Sequence, residues 1–518
     1  MQMTTINNRA KWQVTCPATH QIIAEMDETS LDEVPRLYEQ ARSAFAQWAR
    51  LTIHERIEYL RKLRIYMTEH MEEIIQTISN DAGKVKVEAL TADVMPVLDA
   101  ILHIEKHAHQ VLGREKKSTP ILLIGKKSYV EFMPRGVVLV ISPWNYPFQL
   151  AMVPMLSALV GGNTVILKPS EITPLVGKCI EELFQKAGFP PGVVQVAHGG
   201  KELGAVLTQG NPDYIFFTGS VRTGQIIQMQ AAKDLIPTTL ELGGKDPMIV
   251  FSDANLERAI RGALWGAFTN SGQVCMSTER LYVQRPIYEK FVQKLVEEVN
   301  QLTQGFTLND DIGSMTFQGQ LAILKEQLDD ALAGGADLRT GTTPDQWDTS
   351  KGFFVPPTVL TNVKQSMKVV QEEAFGPLLP IIPFDTEEEA VQLANDSLYG
   401  LNASVWSADL NKAKRVASRL VSGAVAINDV IVSVANHHLP FGGAKHSGIG
   451  RYHGDNGLRI FCHEKAVIVD RGKFNSEVHW YPYRGKYHLL YNLIYSYYAK
   501  SRNWLTFVKS YVGLIRKP

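Results

Sequence analysis

The chain has 518 residues, a length that can hold two or three domains with sizeable cores. Hydrophobic residues make up 45% and charged residues 20% of it, which excludes a largely disordered protein. Basic and acidic residues balance at 53 each, so no overall charge attracts the chain to nucleic acid.

Cysteine usage and the N-terminus narrow the class further. The four cysteines, Cys16, Cys179, Cys275 and Cys462, lie far apart and form no CxxC pair. This spacing predicts neither a disulfide framework nor a zinc site, and no other metal site is predicted. Met1–Gln13 is polar and lacks the apolar core of a signal peptide, so a reducing, cytoplasmic location is expected.

The first predicted elements are helices. Apolar residues recur at spacings of three and four between Leu31 and Gly83, which favours amphipathic helices. Short alternating runs from Pro120 to Pro134 predict a β-hairpin or arm.

An uncharged stretch, Val137–Leu167, is long enough to cross a membrane. Three prolines and a Gly161-Gly162 pair divide it into pieces, so it predicts a strand, a loop, a short helix and a second strand. The predicted bounds are Val137–Ile141, Ser142–Tyr146, Pro147–Val160 and Thr164–Leu167. Continuous apolar runs around a helix are typical of a buried parallel β-α-β unit.

Strands and helices continue to alternate downstream. Val193–Ala197, Tyr214–Thr218 and Met248–Phe251 are predicted strands. A second alternating region runs from Ala259 to about Ile427, and residues 343–352 are predicted to form a surface loop. This alternation predicts an α/β fold with doubly wound parallel sheets.

The strongest chemical signal is the segment from Asn270 to Cys275, Asn-Ser-Gly-Gln-Val-Cys. An isolated cysteine is usually inert packing material, with a thiol pKa near ~8.5. Here Ser-Gly precedes the cysteine and Met-Ser-Thr follows it, which predicts a loop of small residues between two apolar segments. Such a loop exposes a thiol at the mouth of a pocket, as a nucleophile requires.

Glu241 lies between Leu240 and Leu242 and is followed by Gly243-Gly244. It is either a solvated loop carboxylate or a general base, because an apolar setting raises the pKa of a carboxyl toward neutrality. The two glycines let the backbone turn tightly and approach a ligand.

Asn145 lies in the segment Ser142–Phe148, at the carboxyl end of a predicted parallel strand. That edge is where α/β sheets bind ligands. Asparagine is common in turns, so a structural function stays open, but its amide NH2 can equally donate to an oxyanion.

A dinucleotide site is indicated by weaker signals, because no GxGxxG motif follows a strand. Strand Tyr214–Thr218 leads into the segment Gly219–Gly224, and a glycine turn at a helix N-terminus suits a pyrophosphate. Lys168 and Glu171 lie three apart beyond another strand, where they can bind ribose hydroxyls. The segment Glu372–Pro377, taken alone, is an acidic turn.

In this order and spacing, these five segments resemble the aldehyde dehydrogenase superfamily. Further matching segments are Phe353–Thr358, Tyr399-Gly400-Leu401, Pro440–Gly443 and Ser447-Gly448, and the resemblance extends from about residue 30 to about residue 465. Three short segments are similar to the class 3 branch, which includes fatty aldehyde dehydrogenases: Asn145–Phe148, Asn428–Val430 and Tyr452–Gly454. The N-terminal segment is longer than that branch usually carries.

The resemblance implies an aldehyde dehydrogenase-like α/β fold with two doubly wound parallel-sheet domains and a β oligomerisation arm. The expected parts are a variant Rossmann dinucleotide-binding domain over 1–241, a catalytic domain over 242–430, a return segment with an oligomerisation strand over 431–470 and a tail over 471–518. Residues 120–134 would contribute to the arm of a homodimer or homotetramer.

The resemblance also implies NAD(P)-dependent oxidation of an aldehyde to the carboxylic acid. Cys275 would attack the aldehyde carbon, Asn145 and the Cys275 backbone N–H would hold the oxyanion, and Glu241 would activate water to hydrolyse the thioester. The implied cofactor-binding residues are Trp144, Lys168, Glu171, Gly219, Ser220, Gly224, Gly243, Glu373 and Phe375. NAD is favoured because Glu171 would repel a 2′-phosphate, while NADP stays open.

Two other functions stay open: a dehydrogenase that transfers the acyl group to coenzyme A, and a non-catalytic structural relative. Hydrolysis is favoured because acyl transfer to coenzyme A would not need a base at Glu241. The presence of Cys275, Glu241 and Asn145 argues against a protein that has lost catalysis. The expected substrate is a hydrophobic medium-chain, long-chain or aromatic aldehyde, and no nucleic-acid partner is expected.

The C-terminal tail differs from the rest of the chain in charge. Gly472–Pro518 holds eight Lys/Arg and one acid, a net +7, against −7 for the remainder. Wound as a helix, Arg502–Lys517 separates a polar half that includes Lys509 and Ser510 from an apolar half. The apolar half holds Trp504, Leu505, Phe507, Val508, Tyr511, Val512, Leu514 and Ile515. This pattern favours either peripheral membrane contact through 486–518 or packing against the enzyme body or a second subunit.

Overall fold

A computed structural model describes residues 11–473 and 475–516 of the chain. Residues 1–10 of the expected dinucleotide-binding domain and Lys517 of the expected tail helix lie outside the described residues. In the part described, the strands are β1 Lys11–Thr15, β2 Ile22–Asp27, β3 Glu115–Lys117, β4 Lys127–Pro134, β5 Val137–Ile141, β6 Thr164–Lys168, β7 Val194–Val196, β8 Tyr214–Thr218, β9 Thr238–Glu241, β10 Asp246–Val250, β11 Thr278–Gln284, β12 Asp337–Leu338, β13 Thr358–Thr361, β14 Leu378–Phe384, β15 Asn402–Trp406, β16 Ala424–Ile427, β17 Gly448–Ile449 and β18 Cys462–Val469. The helices are α1 Val34–Trp48, α2 Ile53–Glu69, α3 Met71–Ala82, α4 Lys86–Glu88, α5 Met95–Leu112, α6 Gln149–Val160, α7 Pro174–Lys186, α8 Lys201–Gln209, α9 Val221–Lys233, α10 Leu256–Phe268, α11 Arg285–Val299, α12 Gln318–Ala333, α13 Lys368–Gln371, α14 Glu387–Asn395, α15 Leu410–Ala417, α16 Gly454–Arg459, α17 Tyr487–Tyr498 and α18 Trp504–Ile515.

The helices predicted between Leu31 and Gly83 are α1, α2 and α3. α2 begins with a capping box, in which the Glu55 amide donates to Thr52 Oγ1 at 3.2 Å and the Thr52 amide donates to Glu55 Oε2 at 2.7 Å. α3 ends at Gly83, whose φ of 70° lies in the left-handed region that terminates helices.

The first large sheet has six strands in the order β17-β9-β8-β5-β6-β7. Its pairs are parallel except that of β17 with β9. The chain runs outward from β5 through β6 to β7 and then crosses to the other side for β8 and β9, so the strand order reverses between β5 and β8. Ligands of doubly wound sheets bind outside the carboxyl ends of the strands at such a point.

The uncharged stretch from Val137 forms the centre of this sheet. Every residue of β5, α6 and β6 is buried, as the predicted β-α-β unit requires. The helix begins at Gln149 instead of Pro147, because the Asp93 carboxylate accepts the amides of Phe148 and Gln149 at 3.2 and 3.1 Å. Among the described residues, no helix is long and apolar enough to cross a bilayer.

The second large sheet has seven strands in the order β12-β13-β14-β11-β10-β15-β16. It is parallel except for the edge strand β12, which pairs antiparallel with β13. The predicted alternation after Ala259 is therefore confirmed, and so is the α/β class with two parallel sheets. Residues 343–352 form a loop with one short 3₁₀ turn.

The chain forms two compact units. The larger comprises the residues up to Gly113 and Phe132–Glu464, and the smaller comprises Arg114–Glu131 and Lys465–Pro518. The predicted hairpin around 120–134 consists of β3 and β4, paired antiparallel, and it begins upstream of the expected Pro120. β18 completes a three-stranded sheet in the order β18-β4-β3.

The tail of the smaller unit is a pair of helices, α17 and α18. The predicted tail helix is confirmed by α18, in which Ser510 of the polar half is buried and Leu505 of the apolar half is 69% exposed. The reason is α17, whose Leu493 packs with Phe507 and Leu514 in a small core. That core uses a stripe at positions 507, 510 and 514 and leaves the rest of the apolar half uncovered.

Candidate active site

Four strands of the first large sheet deliver predicted site residues to one edge. β5 leads into Ser142–Phe148, β6 ends at Lys168, β8 leads into Gly219 and β9 ends at Glu241. Because these strands are parallel, their carboxyl ends share one edge, which is also where the strand order reverses. The fold thus brings segments that are far apart in sequence to the same crevice.

The loop before Cys275 has a strained backbone. Asn270 and Ser271 have φ of 51° and 57°, and Gly272 follows with 71°. Each non-glycine residue in this left-handed region costs about 1–3 kcal/mol. A Cβ at Gly272 would come within 2.3 Å of the Gly376 carbonyl, so the loop also needs glycine to approach the acidic turn.

Distant segments hold this strained loop in place. The Asn270 amide donates to Glu88 Oε1 at 2.6 Å, and Ser271 Oγ donates to the Gly313 carbonyl at 2.9 Å. Both bonds are buried or partly buried, so they resist relaxation of the loop. Cys275 is therefore presented in one position, with its side chain partly exposed.

The electrostatic surroundings of Cys275 favour the protonated thiol. Burial within the pocket raises the pKa of the Cys275 thiol, and the nearby carboxylates of Glu373, Asp246 and Glu241 raise it further. The Cys275 backbone amide hydrogen-bonds the sulfur and acts in the opposite direction. The nucleophilic thiolate therefore has to be formed during the reaction instead of being present beforehand at neutral pH.

Asn145 lies beside the same loop and is buried. Its side-chain Nδ2 donates to the Gln273 backbone carbonyl at 3.0 Å, and its backbone carbonyl accepts from Lys84 Nζ at 2.8 Å. Lys84 in turn forms a buried ion pair with Asp93 at 2.7 Å. Since an amide NH2 carries two hydrogens and Gln273 accepts one, the Asn145 side chain can occupy a turn and also donate to an oxyanion.

Glu241 is 3% exposed, so the alternative of a solvated loop carboxylate is wrong. Both carboxyl oxygens are buried without a hydrogen-bond partner among the described residues. Burial raises the pKa of Glu241 well above its usual value, and the charge of Arg451 opposes this. A Cβ at Gly442 would come within 3.0 Å of Glu241 Oε1, so glycine there leaves room beside the carboxyl.

Two glycines place the Glu241 loop against Cys275 and Glu373. A Cβ at Gly244 would come within 2.1 Å of the Cys275 carbonyl, and one at Gly243 would come within 2.2 Å of Glu373 Oε2. The Gly244 amide donates to Glu373 Oε1 at 2.9 Å. Burial raises the pKa of Glu373 to about 8, and the neighbouring Glu279 adds to the increase. The acidic turn is thus part of the same site.

A buried ion pair positions the residues after the acidic turn. Glu279 accepts the amides of Ala374 and Phe375 at 2.8 and 3.0 Å and pairs with Lys245 Nζ at 2.6 Å. Phe375 has a φ of 51°, and its ring meets Trp144 edge to face at 5.3 Å. Trp144 and Phe375 therefore lie together at the crevice.

The remaining predicted cofactor residues lie along the same edge. Lys168 Nζ pairs with Glu171 Oε2 at 2.7 Å, with the lysine buried and the glutamate 44% exposed. Ser220 is the N-cap of α9, and its Oγ accepts the Thr223 amide at 3.3 Å. Gly219 immediately precedes this helix N-terminus.

This edge fits a dinucleotide. The N-terminus of α9 offers free amides and a positive dipole end to a diphosphate. At the facing end of β5, Ser142 Oγ is buried and has no hydrogen-bond partner among the described residues. Gly224 contributes through packing, because a Cβ there would come within 2.6 Å of the Leu242 side chain.

Comparison with known proteins gives a consistent set of relatives. The model of the aldehyde dehydrogenase family matches residues 5–467. A 4,4'-diapolycopene aldehyde oxidase of Methylomonas sp is 44% identical over 86% of this chain and 83% of that protein. A 2-aminomuconic semialdehyde dehydrogenase of Bos taurus is 34% identical over 88% of this chain and 94% of that protein.

Solved structures agree with the sequence relatives. Betaine aldehyde dehydrogenase from Staphylococcus aureus in complex with NAD+ is 34% identical, with a TM-score of 0.85 over 92% of this chain and 94% of that one. The NAD+ complex of an aldehyde dehydrogenase from Bacillus cereus is 35% identical, with a TM-score of 0.84 over 89% of this chain and 94% of that one. The chain therefore belongs to the aldehyde dehydrogenase family and is an NAD(P)-dependent aldehyde dehydrogenase.

Proposed function

We propose that this enzyme oxidises a hydrophobic aldehyde to its carboxylic acid through a covalent intermediate on Cys275 that water hydrolyses. The proposal rests on the contact of two segments with the Cys275 loop. Gly244, from the segment that follows Glu241, lies against the Cys275 carbonyl. Asn145 donates to the carbonyl of Gln273, two residues before the thiol. Glu241 stands three residues from Gly244 with both oxygens unengaged.

Attack by Cys275 forms a bond from sulfur to the aldehyde carbon and moves the carbonyl electron pair onto oxygen. Asn145 Nδ2 and the Cys275 backbone amide donate hydrogen bonds to this oxyanion. The thiol proton passes to water as the bond forms. Since burial and, to a smaller extent, the surrounding carboxylates raise the pKa of Cys275, this step is faster at higher pH.

We assign the cofactor to the edge described above. Lys168, Glu171, Gly219 and Ser220 would hold the adenosine half, with Gly224 supporting the helix. Glu373 would bind the nicotinamide ribose, and Gly243, Trp144 and Phe375 would border the nicotinamide. When bound, the nicotinamide would supply the two-electron oxidant that the Cys275 adduct needs to become a thioester. NAD is favoured over NADP because the exposed Glu171 carboxylate repels a 2′-phosphate.

Glu241 completes the cycle as the general base for hydrolysis. In its ionised form it takes a proton from water, which attacks the thioester carbon and releases the Cys275 thiolate. An unpaired buried carboxyl is costly to keep, which supports a catalytic use for Glu241. Acyl transfer to coenzyme A needs no such base, so hydrolysis is the favoured outcome.

The activity can be tested with a single assay. With NAD and a medium-chain aldehyde, but without coenzyme A, we expect NADH and the free acid to form in equal amounts over many turnovers. Aldehyde without protein and protein without aldehyde are the controls. A strict requirement for coenzyme A would overturn the hydrolytic proposal, and no NADH with or without coenzyme A would overturn the proposed substrate class.

The preference for a hydrophobic aldehyde rests on rings near the thiol. Burial raises the pKa of Tyr146 and of Tyr452, and nearby carboxylates and the neighbouring Cys275 add smaller increases. Phe441 packs against Tyr452 with ring centroids 5.3 Å apart. An aromatic surround favours an apolar or aromatic substrate. We also propose that the chain belongs to the class 3 branch of the family. The relatives reported above are named for other aldehydes and do not test this assignment.

We also propose that α17 and α18 contact an anionic membrane surface. Their uncovered side chains form two stripes at helical spacing: Tyr487, Tyr491, Tyr495 and Tyr498 on α17, and Trp504, Leu505, Val508, Val512 and Ile515 on α18. Lys509 and Arg516 are exposed on α18. Aromatic and aliphatic side chains with nearby positive charge are typical of helices lying in a membrane interface.

Vesicle flotation tests the membrane contact. We expect the full chain to float with anionic vesicles and less with neutral ones, because the tail carries +7. A form ending at Arg471 and the variant Trp504→Ser/Leu505→Ser/Val508→Ser should both stay in the dense fraction. Leu308→Ser, which removes a leucine 73% exposed in the larger unit, is the matched control and should float. If the full chain stays with the soluble fraction, the membrane proposal is wrong.

The other expectations stay proposals. These are the boundaries at 241, 430 and 470, assembly as a homodimer or homotetramer through the 120–134 arm, and a cytoplasmic location with membrane contact confined to the surface.

A further inference from the structure

Three histidines outside the candidate active site face one another. His103 and His107 lie four residues apart on α5 and so share one face of that helix. His438 approaches them from the loop between Asn436 and Pro440. The three rings form a closed triangle, with centroids 4.7 Å apart for 103 and 107, 4.6 Å for 103 and 438, and 4.9 Å for 107 and 438.

The nitrogens of these rings converge. One nitrogen from each of His103, His107 and His438 can be chosen so that all three lie within 4.8 Å of one another. A tetrahedral zinc site with bonds of 2.0–2.1 Å spaces its ligand atoms about 3.4 Å apart. Small rotations of the side chains, of which His438 is exposed, close this gap.

One nitrogen of this histidine cluster lacks a hydrogen-bond partner. His103 Nε2 is buried and has no hydrogen-bond partner among the described residues. A buried polar atom without a partner costs free energy unless a ligand satisfies it. A metal ion bound by this nitrogen would remove that cost.

We propose that His103, His107 and His438 bind one borderline divalent transition-metal ion, such as Zn²⁺, and that the ion ties the 436–440 loop to α5. Three neutral imidazoles with no carboxylate suit Zn²⁺, Co²⁺, Ni²⁺ or Cu²⁺ and not Mg²⁺ or Ca²⁺. With three protein ligands, the fourth position is left for water. The sequence sign of this site is the His-x-x-x-His spacing on a helix, which cysteine spacing does not reveal.

A row of ring contacts leads from the three histidines toward the candidate active site. His103 contacts His437 with centroids 6.0 Å apart, and His437 contacts His453 at 4.8 Å. His453 in turn meets Tyr452 at 4.2 Å, and Tyr452 packs against Phe441 at 5.3 Å. The next residue, Gly442, lies against Glu241, because a Cβ there would come within 3.0 Å of Glu241 Oε1. The metal would thus fix one end of a row of rings whose other end lies beside the Glu241 carboxyl.

Calorimetric titration of chelator-treated, tag-free protein with ZnCl₂ tests the proposal. The full chain is used in a Cys275→Ala background, so that the reactive thiol does not contribute a ligand. We expect one ion per chain and a rise in the melting temperature, since only the folded state assembles the three ligands. Co²⁺ should give a visible spectrum of tetrahedral type, without the intense band that a thiolate ligand produces.

Substitutions of single histidines make the test specific. His438→Gln, at an exposed position, and His103→Gln should each weaken zinc binding by more than about 10-fold, because even outer partners of metal ligands contribute 10–100-fold. His109→Gln, an exposed histidine on the same helix, is the matched control and should leave binding unchanged. No stoichiometric binding, or binding that survives both His103→Gln and His438→Gln, would overturn the site.

Discussion

Cys275→Ala should abolish aldehyde oxidation, lowering kcat by more than about 10³-fold, the scale on which loss of a covalent nucleophile acts. No neighbouring group can replace the thiol, because the nearby carboxyls of Glu373, Asp246 and Glu241 have pKa values raised by burial and are weak nucleophiles toward an aldehyde. Steady-state NADH formation is the measurement. Cofactor binding and melting temperature should stay near those of the unmodified enzyme, since the side chain is partly exposed.

Cys179→Ala is the matched control for this experiment. Cys179 lies on α7, outside the loops that carry Cys275, Asn145 and Glu241, so no step of the proposed mechanism uses its thiol. Its removal should leave turnover essentially unchanged. Appreciable oxidation by the Cys275→Ala protein would contradict the covalent mechanism.

Much of the fold could be predicted because its centre has an unambiguous pattern. β5 and β8 have the bounds that the sequence predicts, since continuous apolar runs bounded by glycine and proline allow few alternatives. The start of α6 could not be predicted, because it depends on Asp93, more than 50 residues earlier in the chain. The buried residues of α18 could not be predicted for the same kind of reason, since a helical wheel does not contain α17.

The chemical groups of the site were easier to predict than the groups that position them. Cys275, Glu241 and Asn145 carry signals in their own neighbours. Glu88 and Lys84 do not, because each acts through hydrogen bonds to a segment more than 60 residues away. The Lys245–Glu279 pair is similar, since an ion pair buried in the core has no local sequence signature.

Glu241→Gln should separate the two halves of the reaction. The proposed mechanism uses this carboxylate only after the thioester has formed, so a pre-steady-state burst of NADH of about one equivalent per active site should remain. The steady rate that follows should fall roughly 10²–10⁴-fold, the usual contribution of a general base. Rapid mixing with NAD and aldehyde, followed by absorbance of NADH, measures both phases.

The pH dependence of the slow phase sharpens this test. Because burial raises the pKa of Glu241, the base form gains population as pH increases through this raised pKa, and the steady rate of the unmodified enzyme should rise with pH. Glu241→Gln should lose this rise in the slow phase, because glutamine does not titrate. Glu373→Gln gives a different expected pattern, with weaker cofactor binding and a slower burst, since that carboxylate is assigned to the nicotinamide ribose. If Glu241→Gln loses the burst itself, the carboxylate acts earlier, in removing the proton of Cys275, and its assignment to hydrolysis alone is wrong.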